Sequence, residues 1–323
     1  MKMSLTPNTS LDRSAGNLFL NLFYDTKVEC NRRARSTWTL GGQRDRAAKE
    51  IMIESERALS TNRAGWDRVA PKFHGGTALP EYGPLAPTED SLGLLDSKTD
   101  LCALELGCGS GHSLRYLAER GARELWGLDL SSVQIAFAQE TLCPFASRVR
   151  LIESPMEVDP GIPPGHFDLV FSIYGLGWTT NLPATLELVS RYLRPGGTFL
   201  VSGEHPVYSC VEWNGTQYTI SEPYFREGPR EHASWKGVPI VIQRCTLGTF
   251  VGQIIQAGLQ IEALVETPVN SALATEAHTD PARWYSVARA SVMPTTLIIK
   301  ARKPLKNNQP PNIGLQPTTA GGS

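Results

Sequence analysis

Through the middle of the chain, short apolar runs alternate with stretches whose apolar positions recur at helical spacing. Residues 101–106 form an apolar run that ends in glycines, and Leu114, Tyr116 and Leu117 then mark a helix over residues 113–120. Residues 124–129 read as a second strand. Ser131 and Ser132 can cap a following helix that carries Val133, Ile135, Ala136 and Ala138. Residues 149–152 and 167–172 predict a third and a fourth strand. Residues 186–193 are amphipathic, Arg194 to Gly197 ends that helix, and residues 197–202 predict a fifth strand. Strands separated by single helices pair in parallel through right-handed crossovers. The expected fold class is therefore α/β, a doubly wound sheet with helices on both faces.

The pattern changes after residue 206. Residues 207–213 and 216–220 flank Asn214 and Gly215, which predicts a hairpin with a type I′ turn. Aromatic residues and prolines dominate through residue 236, a helix returns over 246–257, and residues 260–266 and 295–300 are the last strand candidates. The expected organisation is an N-terminal extension over 1–60, partly disordered or helical, and a folded domain over 61–302. That domain carries a lid-like insertion at about 207–241, and 303–323 forms a tail. The tail has too few apolar residues to offset its ordering entropy.

Composition narrows the class. The chain has 323 residues, 41% of them hydrophobic and 20% charged, which excludes a chain that is disordered throughout. Its 31 basic and 32 acidic residues give a net charge of -1, which counts against a globally basic nucleic-acid binder. Seven basic residues between Lys27 and Lys49 could form a phosphate-binding arm, but charge runs usually serve solubility and the favoured reading is a solvated extension. No apolar run approaches the ~20 residues of a membrane helix. Residues 18–24 are short, broken by Asn21, and lack a signal-peptide arrangement. A cytoplasmic protein with no membrane partner is expected. The six cysteines form no CxxC pair, so reduced thiols are expected rather than a zinc or redox motif. Asn214 to Thr216 matches a glycosylation acceptor and is read as a turn.

The informative chemistry lies where the first strand ends. Gly107, Gly109 and Gly111 let the backbone turn tightly and approach a ligand. Asp129 ends the next strand, eighteen residues after Gly111, where its carboxylate can accept both hydroxyls of a ribose. A dinucleotide fingerprint would carry its third glycine one position later, where His112 stands, so a pyrophosphate is disfavoured. Glu105, two residues before the first glycine, suits a ligand with a positive end.

A Glu-x-Gly-x-Gly-x-Gly run after one strand, with Asp at the end of the next, resembles the class I S-adenosylmethionine-dependent methyltransferases. Phe167 to Val170 and Leu193 to Gly197 are similar to that family's later motifs. The run Ser172 to Thr180 resembles bacterial small-molecule methyltransferases, and the likeness spans about residues 65–302. It implies a Rossmann-like, mostly parallel seven-stranded sheet with an antiparallel last strand, and S-adenosyl-L-methionine as cofactor. Gly107, Cys108, Gly109 and Gly111 would lie under its methionine portion, with Glu105 near the ammonium group. Cys108 is also small and apolar enough to serve in packing. Asp129 would hold the ribose, and Leu130 and Met156 would flank the adenine. Many relatives carry an acidic residue where Pro155 stands. Ser172 and Tyr174 would line the cofactor near its sulfonium, and Trp66 and Phe73 would close over it.

Methyl transfer from a sulfonium is a direct displacement, so the protein mainly aligns the reactants, and the chemistry requires no metal. The acceptor would be an O, N or C nucleophile of a small organic molecule. His205 is the expected general base, with Glu204 and Tyr174 as alternatives. Trp213, Tyr218, Tyr224, Phe225 and Trp235 would give the insertion an aromatic face over that acceptor. The protein is expected to be a monomer or homodimer. Competing readings are a non-catalytic S-adenosylmethionine-binding module and an NAD(P)-dependent oxidoreductase, the latter opposed by His112 and Glu105. A nucleic-acid methyltransferase is opposed by the absence of an NPPY-type run after the fourth strand.

Overall fold

The computed structural model describes residues 54–95, 99–266 and 268–305. The basic run over 27–49 and the tail beyond residue 305 lie outside the described residues. Helix α1 covers residues 54–69 and so runs across the boundary expected between residues 60 and 61. The body then alternates β1 (Cys102–Leu106), α3 (His112–Glu119), β2 (Glu124–Asp129), α4 (Ser132–Leu142), β3 (Val149–Glu153), β4 (Phe167–Ile173), α5 (Leu182–Tyr192) and β5 (Leu193–Glu204). A short helix, α2 (Glu89–Leu92), precedes β1.

The insertion holds two hairpins, β6 (Val211–Trp213) with β7 (Tyr218–Ile220) and β8 (Gly228–Trp235) with β9 (Val238–Arg244). The chain ends with α6 (Leu247–Gln256), β10 (Gln260–Glu266), α7 (Val287–Ala290) and β11 (Thr296–Arg302). The main sheet has seven strands in the order β10-β11-β5-β4-β1-β2-β3. β1 to β5 pair in parallel, whereas β11 runs antiparallel to both β5 and β10. This is the doubly wound, Rossmann-like sheet that the alternation predicts.

Every residue of β1 is buried, because helices cover the sheet on both faces. Ala103, Leu125, Leu169 and Phe171 pack with Leu114 and Leu117 of α3 and with Ala138 and Leu142 of α4. Leu104, Leu106, Val170 and Phe199 pack with Leu186 and Val189 of α5 and with Ile254 of α6 on the other face. Caps set the helix starts. The Ser131 hydroxyl accepts the Gln134 N–H at 3.2 Å, and the Asn181 side chain accepts the Ala184 N–H at 3.1 Å.

Two local expectations are corrected. The β6–β7 connection runs over four residues, because Trp213 pairs with Tyr218. The Asn214 side chain accepts the N–H groups of Thr216 and Gln217, and this local ring replaces a type I′ turn. The second hairpin has no Asn-Gly signal, and β9 carries the insertion on to Arg244, past residue 241.

Gly127 in mid-β2 is a matter of space. A Cβ there would sit 2.8 Å from Cys108 Sγ, Leu114 Cδ1 and Leu151 Cδ2, so the glycine loop, α3 and β3 converge over a bare backbone. Gly127→Ala should lower stability by ~1–3 kcal/mol, as overpacked cores do, measured as a reduced urea midpoint. An unchanged midpoint would mean that loop and helix shift freely.

Candidate functional site

A cavity of about 1470 Å³ opens at the carboxyl ends of the parallel strands. Pockets for one small ligand usually span about 300–1,000 Å³, so this one has room for two molecules side by side. Its floor is the loop after β1. Gly107, Gly109 and Gly111 all have positive φ, +69°, +51° and +78°, which explains the glycine at each position. The loop is tied to the end of β2. The N–H groups of Gly107 and Cys108 donate to Leu128 O at 2.8 and 3.0 Å, and the Gly109 N–H donates to Asp129 Oδ2 at 2.8 Å. These amides are committed, so residues 107–109 cannot form the N–H cradle a pyrophosphate requires.

Asp129 also accepts the Ser131 N–H on Oδ1 at 2.9 Å. Its carboxyl is pushed up to about 6, mainly by burial, with the bonds from Ser131 and Gly109 opposing the rise. Glu105, the penultimate residue of β1, is buried. Burial raises its carboxyl well above the usual range. A Ser113 hydrogen bond opposes the rise and the nearby Asp129 charge adds to it. Among the described residues its Oε2 has no hydrogen-bond partner, and Gln134 Oε1 and Ser202 Oγ are likewise unpaired. All three residues line the cavity. Buried polar atoms are normally satisfied, so a ligand with complementary groups fits here.

The cavity brings together Trp66, Phe73, Glu105, Gly107, Cys108, Gly109, Asp129, Leu130, Met156, Tyr174 and His205. Two expected residues are directed elsewhere. Gly111 abuts α4, where a Cβ would lie 2.9 Å from Leu142 Cδ1, so its role is to let α4 close on the loop. The buried Ser172 hydroxyl donates to Leu106 O at 2.7 Å and is used up in joining β4 to β1.

His205 is corrected as a general base. Its Nε2 is 2.6 Å from Glu266 Oε1, and its Nδ1 accepts the Val207 N–H at 3.2 Å. Neither ring nitrogen is left to take a proton from a substrate. Tyr174 has φ +56°, and its hydroxyl shares a 2.6 Å hydrogen bond with Thr296 Oγ1. Burial raises that phenol far above its usual range, which removes it as a base.

Trp66 and Phe73 belong to a larger aromatic cluster. Trp66 meets Phe73, Trp178 and Trp235 at centroid distances of 5.2, 4.9 and 5.5 Å, and Phe73 stacks on Trp235 at 5.3 Å. Helix α1 thus joins the wall of the cavity to the insertion. Its Asn62 side chain exchanges two 2.8 Å hydrogen bonds with the Val241 backbone in β9, and its Asp67 accepts the Ser131 hydroxyl at 2.6 Å. The sequence reading did not single out Asn62, Asp67, Gln134 or Ser202 for the site. The signal that could have found Gln134 is a lone amide beside the apolar positions Ile135 and Ala138.

A second group of potential ligand atoms, Cys102, Glu124 and His166, lies at the opposite ends of the strands. There the Arg123 guanidinium donates to Cys102 Sγ at 3.0 Å and the Trp126 indole donates to Glu124 at 2.7 Å, so the group is internally paired.

A family model described as a methyltransferase domain matches residues 103–197. The chain is 30% identical over 224 residues to an uncharacterised protein of Haemophilus influenzae, covering 66% of this chain and 85% of that protein. It is 33% identical over 109 residues to a malonyl-[acyl-carrier protein] O-methyltransferase of Pectobacterium atrosepticum, spanning 34% of this chain and 41% of that one. Among solved structures, an S-adenosylmethionine-dependent methyltransferase from Mesorhizobium loti superposes with a TM-score of 0.54 at 29% identity, covering 65% of this chain and 94% of that one.

The raised Asp129 carboxyl makes a stability prediction for the ligand-free protein. The folded state holds this proton up to about pH 6, whereas an unfolded aspartate releases it near 3.8. The favourable contribution is complete below the lower value and is lost as pH rises through the upper one. Wild type should therefore lose about 2 kcal/mol relative to Asp129→Ala between roughly pH 4 and 7.5, read from paired urea denaturation curves. A constant difference across that range would place the carboxylate in water.

Proposed function

This chain belongs to the class I S-adenosylmethionine-dependent methyltransferases, and from that premise we propose that it transfers the methyl group to a small organic acceptor held beneath the insertion. When bound, S-adenosylmethionine supplies a methyl group already activated on a sulfonium. The residues present fit it. Glu105 offers an unpaired carboxylate oxygen to the ammonium of the methionine portion. Asp129 keeps lone pairs on both oxygens for the ribose hydroxyls while its backbone bonds hold it in place. Leu130 and Met156 offer an apolar slot for the adenine, and Trp66 and Phe73 form the cover.

The acceptor half is walled by Trp178, Trp235 and Phe250, together with Trp284 and Tyr285 from the segment before α7. These rings exclude water and leave the protein to align nucleophile and methyl carbon, which is most of what a displacement at an activated carbon requires. The observation that carries the proposal is one continuous cavity with the unpaired Glu105 carboxylate and the committed loop amides at one end and this aromatic chamber at the other. O-methyltransferases among the similar proteins, such as that of Pectobacterium atrosepticum, agree with an oxygen acceptor.

S-Adenosylhomocysteine should bind at one site per chain in calorimetry. Asp129→Ala should weaken that binding by ~1–3 kcal/mol, the scale of a lost charged hydrogen bond. Labelled methyl donor and pooled metabolites should yield a labelled small molecule. Absence of S-adenosylhomocysteine binding by a folded protein would overturn the reading.

A further inference from the structure

We propose that Glu204, with Ser202 beside it, is the proton-accepting site of the acceptor chamber, and that the acceptor is therefore a hydroxyl or amine compound whose nucleophilic atom has a proton to lose. The proposal rests on the methyl-transfer reading and specifies its substrate class.

Ser202 and Glu204 are two residues apart on β5, so their side chains share one face of the strand. Both line the cavity, at the carboxyl end of the strand next to β4. Ser202 is buried, and its hydroxyl has no partner among the described residues. Glu204 is held through a single oxygen. The Trp284 indole N–H donates to Oε2 at 2.6 Å, and the Tyr285 hydroxyl donates to the same atom at 2.9 Å. Oε1 takes no hydrogen bond from any described residue. A carboxylate fixed by one oxygen and open at the other is oriented to receive a proton. The two donors hold Oε2 and leave the lone pairs of Oε1 uncommitted among the described residues.

The surroundings tune it as a base. Burial raises the Glu204 carboxyl above the ordinary range. The hydrogen bonds from Trp284 and Tyr285, and the Arg289 and Arg244 guanidiniums, pull the other way. The other titratable groups nearby are Tyr174 and Tyr208, whose phenols stay protonated because burial raises them. His205, the neighbour in sequence, is turned to Glu266 and does not compete.

In the reaction the acceptor's oxygen or nitrogen forms its bond to the methyl carbon as its own bond to hydrogen breaks, and the proton passes to Glu204 Oε1. The electron pair of the severed carbon–sulfur bond stays with the leaving thioether. Ser202 positions the acceptor by hydrogen bonding to it. A carboxylate acceptor would have no such proton and would face a like charge.

The test uses the full chain, labelled S-adenosylmethionine and four acceptor panels: phenols, aliphatic alcohols, primary amines and carboxylic acids. Label should enter a hydroxyl or amine compound and survive mild alkali. Glu204→Gln should lower kcat by about 100-fold, the usual scale for loss of a general base, with S-adenosylhomocysteine affinity unchanged. The acid limb of its pH–rate profile should flatten. Tyr285→Phe keeps the carboxyl but removes one donor to it, and should move that limb to higher pH. It serves as the second reading if Glu204→Gln does not fold. Label confined to an alkali-labile ester, or a Glu204→Gln or Tyr285→Phe profile matching wild type, would overturn the proposal. No transfer to any panel by a protein that still binds S-adenosylhomocysteine would overturn it too, whereas lost binding would instead sink the methyl-transfer reading.

Discussion

The Asp129 carboxylate accepts one backbone N–H from the glycine loop and another from the start of α4, and these two bonds fix the floor of the cavity. The loop cannot lift from β2 without breaking them, and α4 cannot rotate. Holding a carboxylate this way is costly, because burial disfavours its charge more than two backbone donors recover. A ligand that adds hydroxyl donors on the open lone pairs, and places a cation near Glu105, relieves two unfavourable burials at once. Stability given up in the empty protein is thus regained on binding.

The main sheet was legible in the sequence because its signals are local. Continuous apolar runs, serine and asparagine caps and glycine loops each fix a strand, a helix start or a turn from a few neighbouring residues, so β2 and α4 begin where the pattern places them. The glycine loop and Asp129 were legible for the same reason. The rest depends on contacts between distant segments. His205 sits at the right end of the right strand, yet Glu266, sixty-one residues on, takes its ring nitrogen. Ser172 was expected at the ligand, but its hydroxyl is consumed by a neighbouring strand. The β8–β9 hairpin turns tightly on Lys236 and Gly237, both at positive φ, and its strands pack against α1 and the aromatic cluster.

The two halves of the cavity differ in character. The proposed donor end rests on the glycine loop and Asp129, which backbone hydrogen bonds tie to the sheet. The proposed acceptor end combines Ser202 and Glu204 of β5 with side chains from the β8–β9 hairpin, α6 and the segment before α7.

Asn62 uses both faces of its amide on the Val241 backbone, and α1 comes so close to β9 that a Cβ at Gly65 would lie 3.0 Å from Pro239 O. Helix α1 and the β8–β9 hairpin are therefore fastened together, so any displacement of one along the wall of the cavity carries the other with it.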